Sequence, residues 1–479
     1  MFPFLMLLGC GQRAEPGQAD RDLPNIIYIL ADDLGYGDLS CYGQQKFSTP
    51  NIDRMADRGI RFTRHYAGST VCAPSRSVLM TGLHTGHTYI RGNREVKPEG
   101  QEPLPDSVVT LAEILKQAGY VTGAFGKWGL GFPGSEGAPL NQGFDHFFGY
   151  NCQRVAHRYY PAYLWEDGQK FFLEGNDWTE KVTYAPDVIQ EQTLAFIREN
   201  RDTAFFAFVP AIIPHAELVV PEDSIFQHYR GRYPEQPYEG GPGADYGPEM
   251  VIGRYCSQEY PRATFASMVR RLDLYVGQIM DLLEELGIAG HTIIMFSSDN
   301  GPHHEGGADQ DFFNSNGGLR GIKRDLYEGG IRVPFIVSWP DRIEPGRNSD
   351  HVSAFWDLFP TLAEIAGEEI GETDGISLLP ELLGEQQPEH NCLYWEFHEQ
   401  GGKQAVLRGK WKAVRLNVGE DPIGVPELYD LVEDPSEQHN VASGHPEVAG
   451  QLSKLMEEAR VPSDLFRFGR ETAGGPSTR

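Results

Sequence analysis

The sequence predicts an α/β protein with a large, mostly parallel sheet sandwiched by helices and a smaller C-terminal α+β subdomain built on a short antiparallel sheet. Three observations carry this prediction. Short apolar runs rich in β-branched residues alternate with amphipathic segments bounded by Pro and Gly over most of the chain. After about residue 383 the texture changes to closely spaced strand-like runs and one last helix. Polar clusters fall just after the ends of the predicted strands, which is where such sheets bind ligands.

Residues 25–30, Asn-Ile-Ile-Tyr-Ile-Leu, are a continuous apolar run, the pattern of a parallel strand buried on both faces. The run stops at Asp32-Asp33. Thr49-Pro50 opens a helix with Pro at its first position, Gly59 closes it, and a strand follows over 60–65. Pro74 opens a helix that ends near Gly82. Residues 111–117 are helical and closed by Gly119, with a strand over 120–125 and another over 204–209. Residues 262–286 make a long amphipathic helix. A strand over 291–296 runs into Ser298-Asp299-Asn300-Gly301, and 331–338 is a further strand. Beyond these, 393–397, 405–407, 411–416 and 427–429 read as short antiparallel strands and 446–460 as the final helix.

The chain has 479 residues, enough for one large domain and a smaller one. Its 55 glycines and 33 prolines imply many long loops, the usual seat of binding chemistry. Lys and Arg number 41 against 68 Asp and Glu, a net charge of −27, which excludes a nucleic-acid binder with a basic face. An anionic ligand would be repelled by this field, so it would need a local cationic pocket acting over short range. The cysteines are Cys10, Cys41, Cys72, Cys152, Cys256 and Cys392, with no C-x-x-C spacing of the metal-binding kind.

The strongest local signal is Cys72-Ala73-Pro74-Ser75-Arg76 followed by Leu79-Met80-Thr81-Gly82. Other blocks accompany it in order. They are Asp32-Asp33, Gly126-Lys127-Trp128, Pro214-His215, Ser298-Asp299-Asn300-Gly301, Lys323 ahead of Tyr327 to Pro334, Leu428-Tyr429-Asp430-Leu431, Asp434-Pro435 and Asn440-Val441-Ala442. In these blocks the chain resembles the formylglycine-dependent sulfatases of the alkaline-phosphatase superfamily, over roughly residues 24–442. The resemblance implies an alkaline-phosphatase-like fold with a catalytic domain over 23–385, a C-terminal subdomain over 386–465 and a disordered tail over 466–479.

Such chemistry needs these residue types. A sulfate ester is a poor electrophile shielded by negative oxygens, so its hydrolysis requires a strong nucleophile, cations around the oxygens and a proton for the departing alcohol. The resemblance implies that Cys72 becomes formylglycine (3-oxoalanine) through a formylglycine-generating or sulfatase-maturing enzyme. The hydrated aldehyde then attacks sulfur with one hydroxyl and expels sulfate when the second loses its proton. Asp32, Asp33, Asp299 and Asn300, with residue 72, would hold one ion. Their side chains offer only oxygen, which suits Ca2+ or Mg2+ over zinc. Asp32 and Asp33 are adjacent, so they can share an ion only where the strand has ended. Arg76 lies one helical turn after Cys72 and can hold the nucleophile beside the metal. Lys127 and Lys323 would neutralise sulfate oxygens. His215 would be the acid for the leaving oxygen, kept protonated by nearby carboxylates and the bound sulfate.

The family commonly carries His two residues after the Lys, in Gly-Lys-Trp-His-Leu-Gly, where this chain reads Gly126-Lys127-Trp128-Gly129-Leu130-Gly131. That histidine helps deprotonate the second hydroxyl, so another base is expected to do the job. Cys152 to Tyr160 mixes cations, an amide and aromatics that suit a sulfated sugar, with Arg154, His157 and Tyr160 as substrate contacts. Pro302-His303-His304-Glu305 directly follows two ligand candidates, so His303 and His304 could touch the leaving group or replace the missing histidine.

The expected activity is that of a sulfuric ester hydrolase acting on a sulfated carbohydrate. The alternatives are a phosphodiesterase or phosphonate monoester hydrolase of the same superfamily, and an inactive binder of sulfated glycan. Residues 2–8 are apolar and run into Gly9-Cys10, then a polar stretch, although no Lys or Arg precedes them. This start resembles a bacterial lipoprotein signal with Cys10 as the lipid-bearing residue, implying export to the periplasm or a lipid anchor in the bacterial envelope. With Cys10 lipidated and Cys72 modified, the four remaining cysteines could pair in three ways or stay reduced.

Overall fold

A computed structural model describes residues 23–420 and 423–468, so the Cys10 anchor and most of the expected tail lie outside the described residues. Eleven strands form one sheet. Across it the order is Arg347–Ser349, Ile60–Tyr66, Arg332–Ser338, Thr292–Ser298, Asn25–Ala31, Phe205–Pro210, Val121–Lys127, His146–Tyr150, Tyr163–Glu166 and Gln169–Phe172, and Ser353–Ala354 also pairs with Ile60–Tyr66. The strands from Thr292–Ser298 to His146–Tyr150 run parallel. Arg332–Ser338 is antiparallel to both of its neighbours, and a hairpin of Tyr163–Glu166 and Gln169–Phe172 finishes the other edge.

The central strand shows why the sheet is covered on both faces. Successive side chains on a strand point to opposite sides. Ile26, Tyr28 and Leu30 join one apolar core with Phe62, Val333 and Phe355. Ile27 and Ile29 join a second core with Phe125, Met268 and Val276, the last two from the long helix Pro261–Glu285. A strand apolar at every position is what two covered faces require.

The C-terminal part is a four-stranded antiparallel sheet of Leu393–Phe397, Lys403–Arg408, Trp411–Leu416 and Glu427–Asp430. Helix Pro446–Glu458 covers one face through Leu452 and Met456. The other face brings Leu393, Trp395 and Phe397 into the same core as Tyr28 and Phe62, so apolar packing continues across residue 385. Polar links reinforce it. Lys412 is fully buried between Glu328 at 2.9 Å and Glu437 at 3.0 Å, and Lys403 Nζ donates to the Arg324 carbonyl at 2.7 Å. Cys41, Cys72, Cys152, Cys256 and Cys392 are all free thiols in the structure.

Candidate active site

The register of two strands builds the floor of the site. Ala31 pairs with Ser298, and the Asp299 N–H donates to the Ala31 carbonyl at 3.0 Å, so the acidic pairs that follow each strand emerge side by side. Asp33 adopts a left-handed backbone with φ of 63°, which turns its carboxylate to the same side as that of Asp32. Asp33 N–H donates to Asp299 Oδ1 at 3.1 Å and Asn300 Nδ2 to Asp33 Oδ1 at 2.7 Å. These four residues are completely or almost completely buried.

Cys72 is the first residue of helix Cys72–Thr81, every residue of which is buried. The helix begins two residues before Pro74. The first turn of a helix has free N–H groups, so proline at its third position loses no bond. Cys72 Sγ lies 3.4 Å from Asp32 Oδ1. It marks the position where the sequence places the nucleophile. One turn on, Arg76 donates through Nε and Nη2 to Asp299 Oδ2 at 3.2 and 2.8 Å, and through Nη1 to the Lys127 carbonyl at 2.6 Å.

Lys127 ends strand Val121–Lys127 and donates to Asp32 Oδ2 at 2.6 Å. Lys323 comes from a loop fixed by main-chain bonds, its own N–H to the Pro302 carbonyl at 2.9 Å and that of Arg324 to Thr70 at 3.0 Å. Lys323 Nζ meets Asp33 Oδ2 at 2.8 Å, His215 Nε2 at 3.0 Å and Glu305 Oε2 at 3.4 Å. Arg76, Lys127 and Lys323 thus make a buried cationic pocket inside a strongly acidic protein.

The titration of the site follows from this crowding. Burial alone would raise the Asp32 and Asp33 carboxyls, but Lys127 on Asp32 and Lys323 on Asp33 outweigh it and hold both below the usual carboxylate range. Asp299 goes the other way, pushed up to about 7 by burial and by Asp32 against the pull of Arg76. Burial, with the Lys323 ammonium second, pulls His215 down to about 4. The expected protonated His215 depends on a bound sulfate, whose negative charge would act against this pull. Its Nδ1 lies against the Ala216 carbonyl, and its Nε2 is left to accept from Lys323.

The carboxylate cluster fits a hard divalent cation. Asp32, Asp33 and Cys72 offer ligand atoms within 4.8 Å of one another, with His215 in the same group. Asn300 Oδ1 is enclosed without a hydrogen-bond partner among the described residues, as expected for an oxygen meant for an ion.

The expected substrate contacts divide. His157 stacks on His215, with ring centroids 4.6 Å apart and planes 9° apart. Arg154 is tied to Glu95 at 2.6 Å. Tyr160 is buried with its ring against Tyr184 and Tyr246, so it belongs to the packing of the wall and offers no free face to a sugar. His303 is buried and stacks on the far side of His215, but its Nε2 is used by the Pro214 carbonyl at 3.2 Å and its Nδ1 by the Glu305 N–H at 3.1 Å. Neither ring nitrogen is free to replace a missing base. His304 is exposed. Sequence reasoning gave no role to Glu305, although it closes the quoted string that begins at Pro302, and missed Tyr255, which stands in no motif and whose hydroxyl donates to Glu305 at 3.2 Å.

A sheet whose strand-end carboxylates meet a buried cysteine and three cations, one from a strand end, one from a helix and one from a loop, has the features of a hydrolase of esters of strong oxyacids. Comparison with known proteins gives the family. The model of the family described as Sulfatase matches residues 24–368, and that described as N-sulphoglucosamine sulphohydrolase, C-terminal, matches 321–461. The chain is 32% identical to the N-acetylgalactosamine-6-O-sulfatase of Bacteroides thetaiotaomicron, over 95% of this chain and 97% of the relative. It is 32% identical to arylsulfatase A of Homo sapiens, over 90% and 87%. A solved sulfatase structure from work on glycosaminoglycan metabolism by Bacteroides thetaiotaomicron superposes with a TM-score of 0.72 at 29% identity, covering 91% of this chain and 99% of that one. The protein belongs to the sulfatase family and is a sulfatase enzyme of alkaline-phosphatase-like fold.

Proposed function

We propose that this enzyme removes sulfate from a sulfated carbohydrate, using Cys72 converted to formylglycine and one divalent cation, calcium or magnesium. The observation that carries the reading is the convergence of Arg76, Lys127 and Lys323 on the buried carboxylates beside Cys72 Sγ. The carbohydrate class is supported by the relative that acts on N-acetylgalactosamine-6-O-sulfate and by the glycosaminoglycan setting of the structural neighbour.

When present, the hydrated aldehyde supplies a nucleophile that can expel sulfate afterwards, and the cation supplies charge that offsets the sulfate oxygens. The protein's own residues do the rest. Asp32, Asp33, Asp299 and Asn300 would hold the cation. Arg76 and Lys127, bound to Asp299 and Asp32, would set positive charge along one side of the sulfate pocket. Lys323 would do so on the other side. His215 is neutral and accepts from Lys323, so the proton of this pair sits on the Lys323 ammonium, which is the group placed to give it to the departing oxygen.

Lys323 also weighs against a two-metal phosphodiesterase. A second cation would need the pocket of Asp33, His215 and Glu305, and the Lys323 ammonium already sits there. We further propose export to the bacterial envelope, on the Leu7-Leu8-Gly9-Cys10 string.

The test is the mass of the Cys72 peptide from the native host, followed by sulfate release from a panel of sulfated saccharides. An aldehyde at residue 72 and release from at least one saccharide are expected. A thiol there, with no release, would defeat the proposal.

A further inference from the structure

We infer that Gln153 and His157 together take the place of the histidine that Gly129 replaces, and that both hydrogen-bond the bound sulfate group. The inference rests on the sulfatase reading above and adds two binding residues to it.

Gly129 has φ of +80°, and a Cβ built on it would lie 3.2 Å from Gln153 Nε2 and 3.4 Å from Gln153 Cγ. The Gln153 side chain therefore fills the space into which a residue at position 129 would project. This space adjoins the cationic pocket. The N–H groups of Trp128 and Gly129 donate to the Tyr150 and Asn151 carbonyls at 2.9 and 3.0 Å, directly after Lys127 leaves its strand.

The two side chains share a second property. Gln153 is only 7% exposed, and its Nε2 is enclosed without a partner among the described residues. His157 Nδ1, four residues on, is enclosed and unpartnered in the same way. Such atoms destabilise a folded protein unless something outside the chain satisfies them. The His157 ring stacks on His215, which in turn meets Lys323. Gln153 thus fills the space beside Gly129, two residues beyond Lys127, and His157 neighbours Lys323 through the His215 ring. A tetrahedral sulfate group between the two lysines presents oxygens toward both walls, and an amide N–H and an imidazole N–H are donors of the right kind.

Slackness does not explain the unpaired atoms. Arg158 pairs with Glu217 at 2.5 Å, both fully buried, and Tyr246 OH donates to the same carboxylate. Tyr159 OH sits against the Ile212 and His215 carbonyls at 2.7 and 2.6 Å. These bonds clamp the segment that carries Gln153 and His157 onto the segment that carries His215.

The experiment compares Gln153→Met and His157→Phe with the wild type, each as the metal-loaded enzyme. Calorimetric titration with inorganic sulfate gives affinity, and thermal unfolding without sulfate gives stability. Methionine keeps the length of Gln153, and phenylalanine keeps the ring on His215. Each change is expected to weaken sulfate binding about tenfold or more, while the melting temperature holds or rises because a buried unmet polar group has gone. Unchanged sulfate affinity overturns the inference. So does a parallel loss of affinity and melting temperature, which would mean that the side chains only hold the pocket's shape. The sulfatase reading fails on a different result, a thiol at Cys72 with no sulfate release by the wild type, so the two failures are distinguishable.

Discussion

Replacing Lys323 by alanine removes one cation that faces three groups at once. In the structure its Nζ lies 2.8 Å from Asp33 Oδ2, 3.0 Å from His215 Nε2 and 3.4 Å from Glu305 Oε2. Asp33 is fully buried and keeps its charge only because cations outweigh its desolvation. Breaking a buried ion pair by deleting one partner costs about 3–5 kcal/mol. Losing one preorganised charge at the reacting group costs about 100- to 1000-fold in kcat. Lys323→Ala should therefore melt well below the wild type in calcium and turn over a sulfate ester at most a hundredth as fast. The vacated space would then be bounded by two carboxylates and an imidazole, a donor set that suits zinc. Metal analysis after dialysis against zinc should show one more ion per chain than in the wild type, and zinc should recover part of the lost melting temperature. A variant that melts and turns over like the wild type would refute the role given to this ammonium. One that binds no additional zinc would refute the idea that the lysine stands in for a second metal.

Three further outcomes follow from other parts of the fold. Lys412→Met removes the cation between Glu328 and Glu437, leaving Glu328 only its weaker pair with Arg332 at 3.4 Å, and should lower stability by about 3–5 kcal/mol in denaturant titration, with partial recovery on adding Glu328→Gln. His65 is wholly buried on Phe335, and burial lowers it to about 3. The unfolded chain therefore takes up a proton that the folded one refuses as the pH falls below about 6.5, and stability declines by at most about 1.4 kcal/mol per pH unit from this group. His65→Phe should flatten that acid limb of the stability curve, and an unchanged slope would count against the assignment. Restoring the family's usual residue by Gly129→His should cost about 1–2 kcal/mol in thermal unfolding, because the position is left-handed and Gln153 already fills the space. Adding Gln153→Ala should relieve the crowding but not the backbone cost.

Much of the site was legible in the sequence because its residues sit at the ends of elements with strong local signals. The run from Asn25 to Leu30 announces a strand, so Asp32 and Asp33 fall where a ligand binds. Asp299 and Asn300 follow the next strand of the same kind. What the sequence could not give was the approach of one loop to another. The fall in the His215 pKa depends on its burial and on Lys323, 108 positions away in the chain, and neither is written near Pro214-His215. Tyr160 looked like a stacking platform because aromatic residues in a loop are ambiguous until their exposure is known. The edge hairpin Tyr163–Glu166 and Gln169–Phe172 and the helix Ala185–Glu199 went unread. The hairpin strands have only four residues each, too few for a periodic pattern to stand out.

The burial of helix Cys72–Thr81 has a consequence for the order of events in the life of the chain. Cys72 is 2% exposed, every residue of its helix is buried, and the helices packed on it, Leu111–Gln117 and Leu358–Ala366, come from distant parts of the sequence. No second protein can reach that thiol once the sheet has closed. If Cys72 is converted as proposed, the maturing enzyme would have to meet the segment while it is still a free strand of polypeptide, during or soon after synthesis. Folding would then seal in whichever side chain it found, and a molecule that closed too early would keep its sulfur for good.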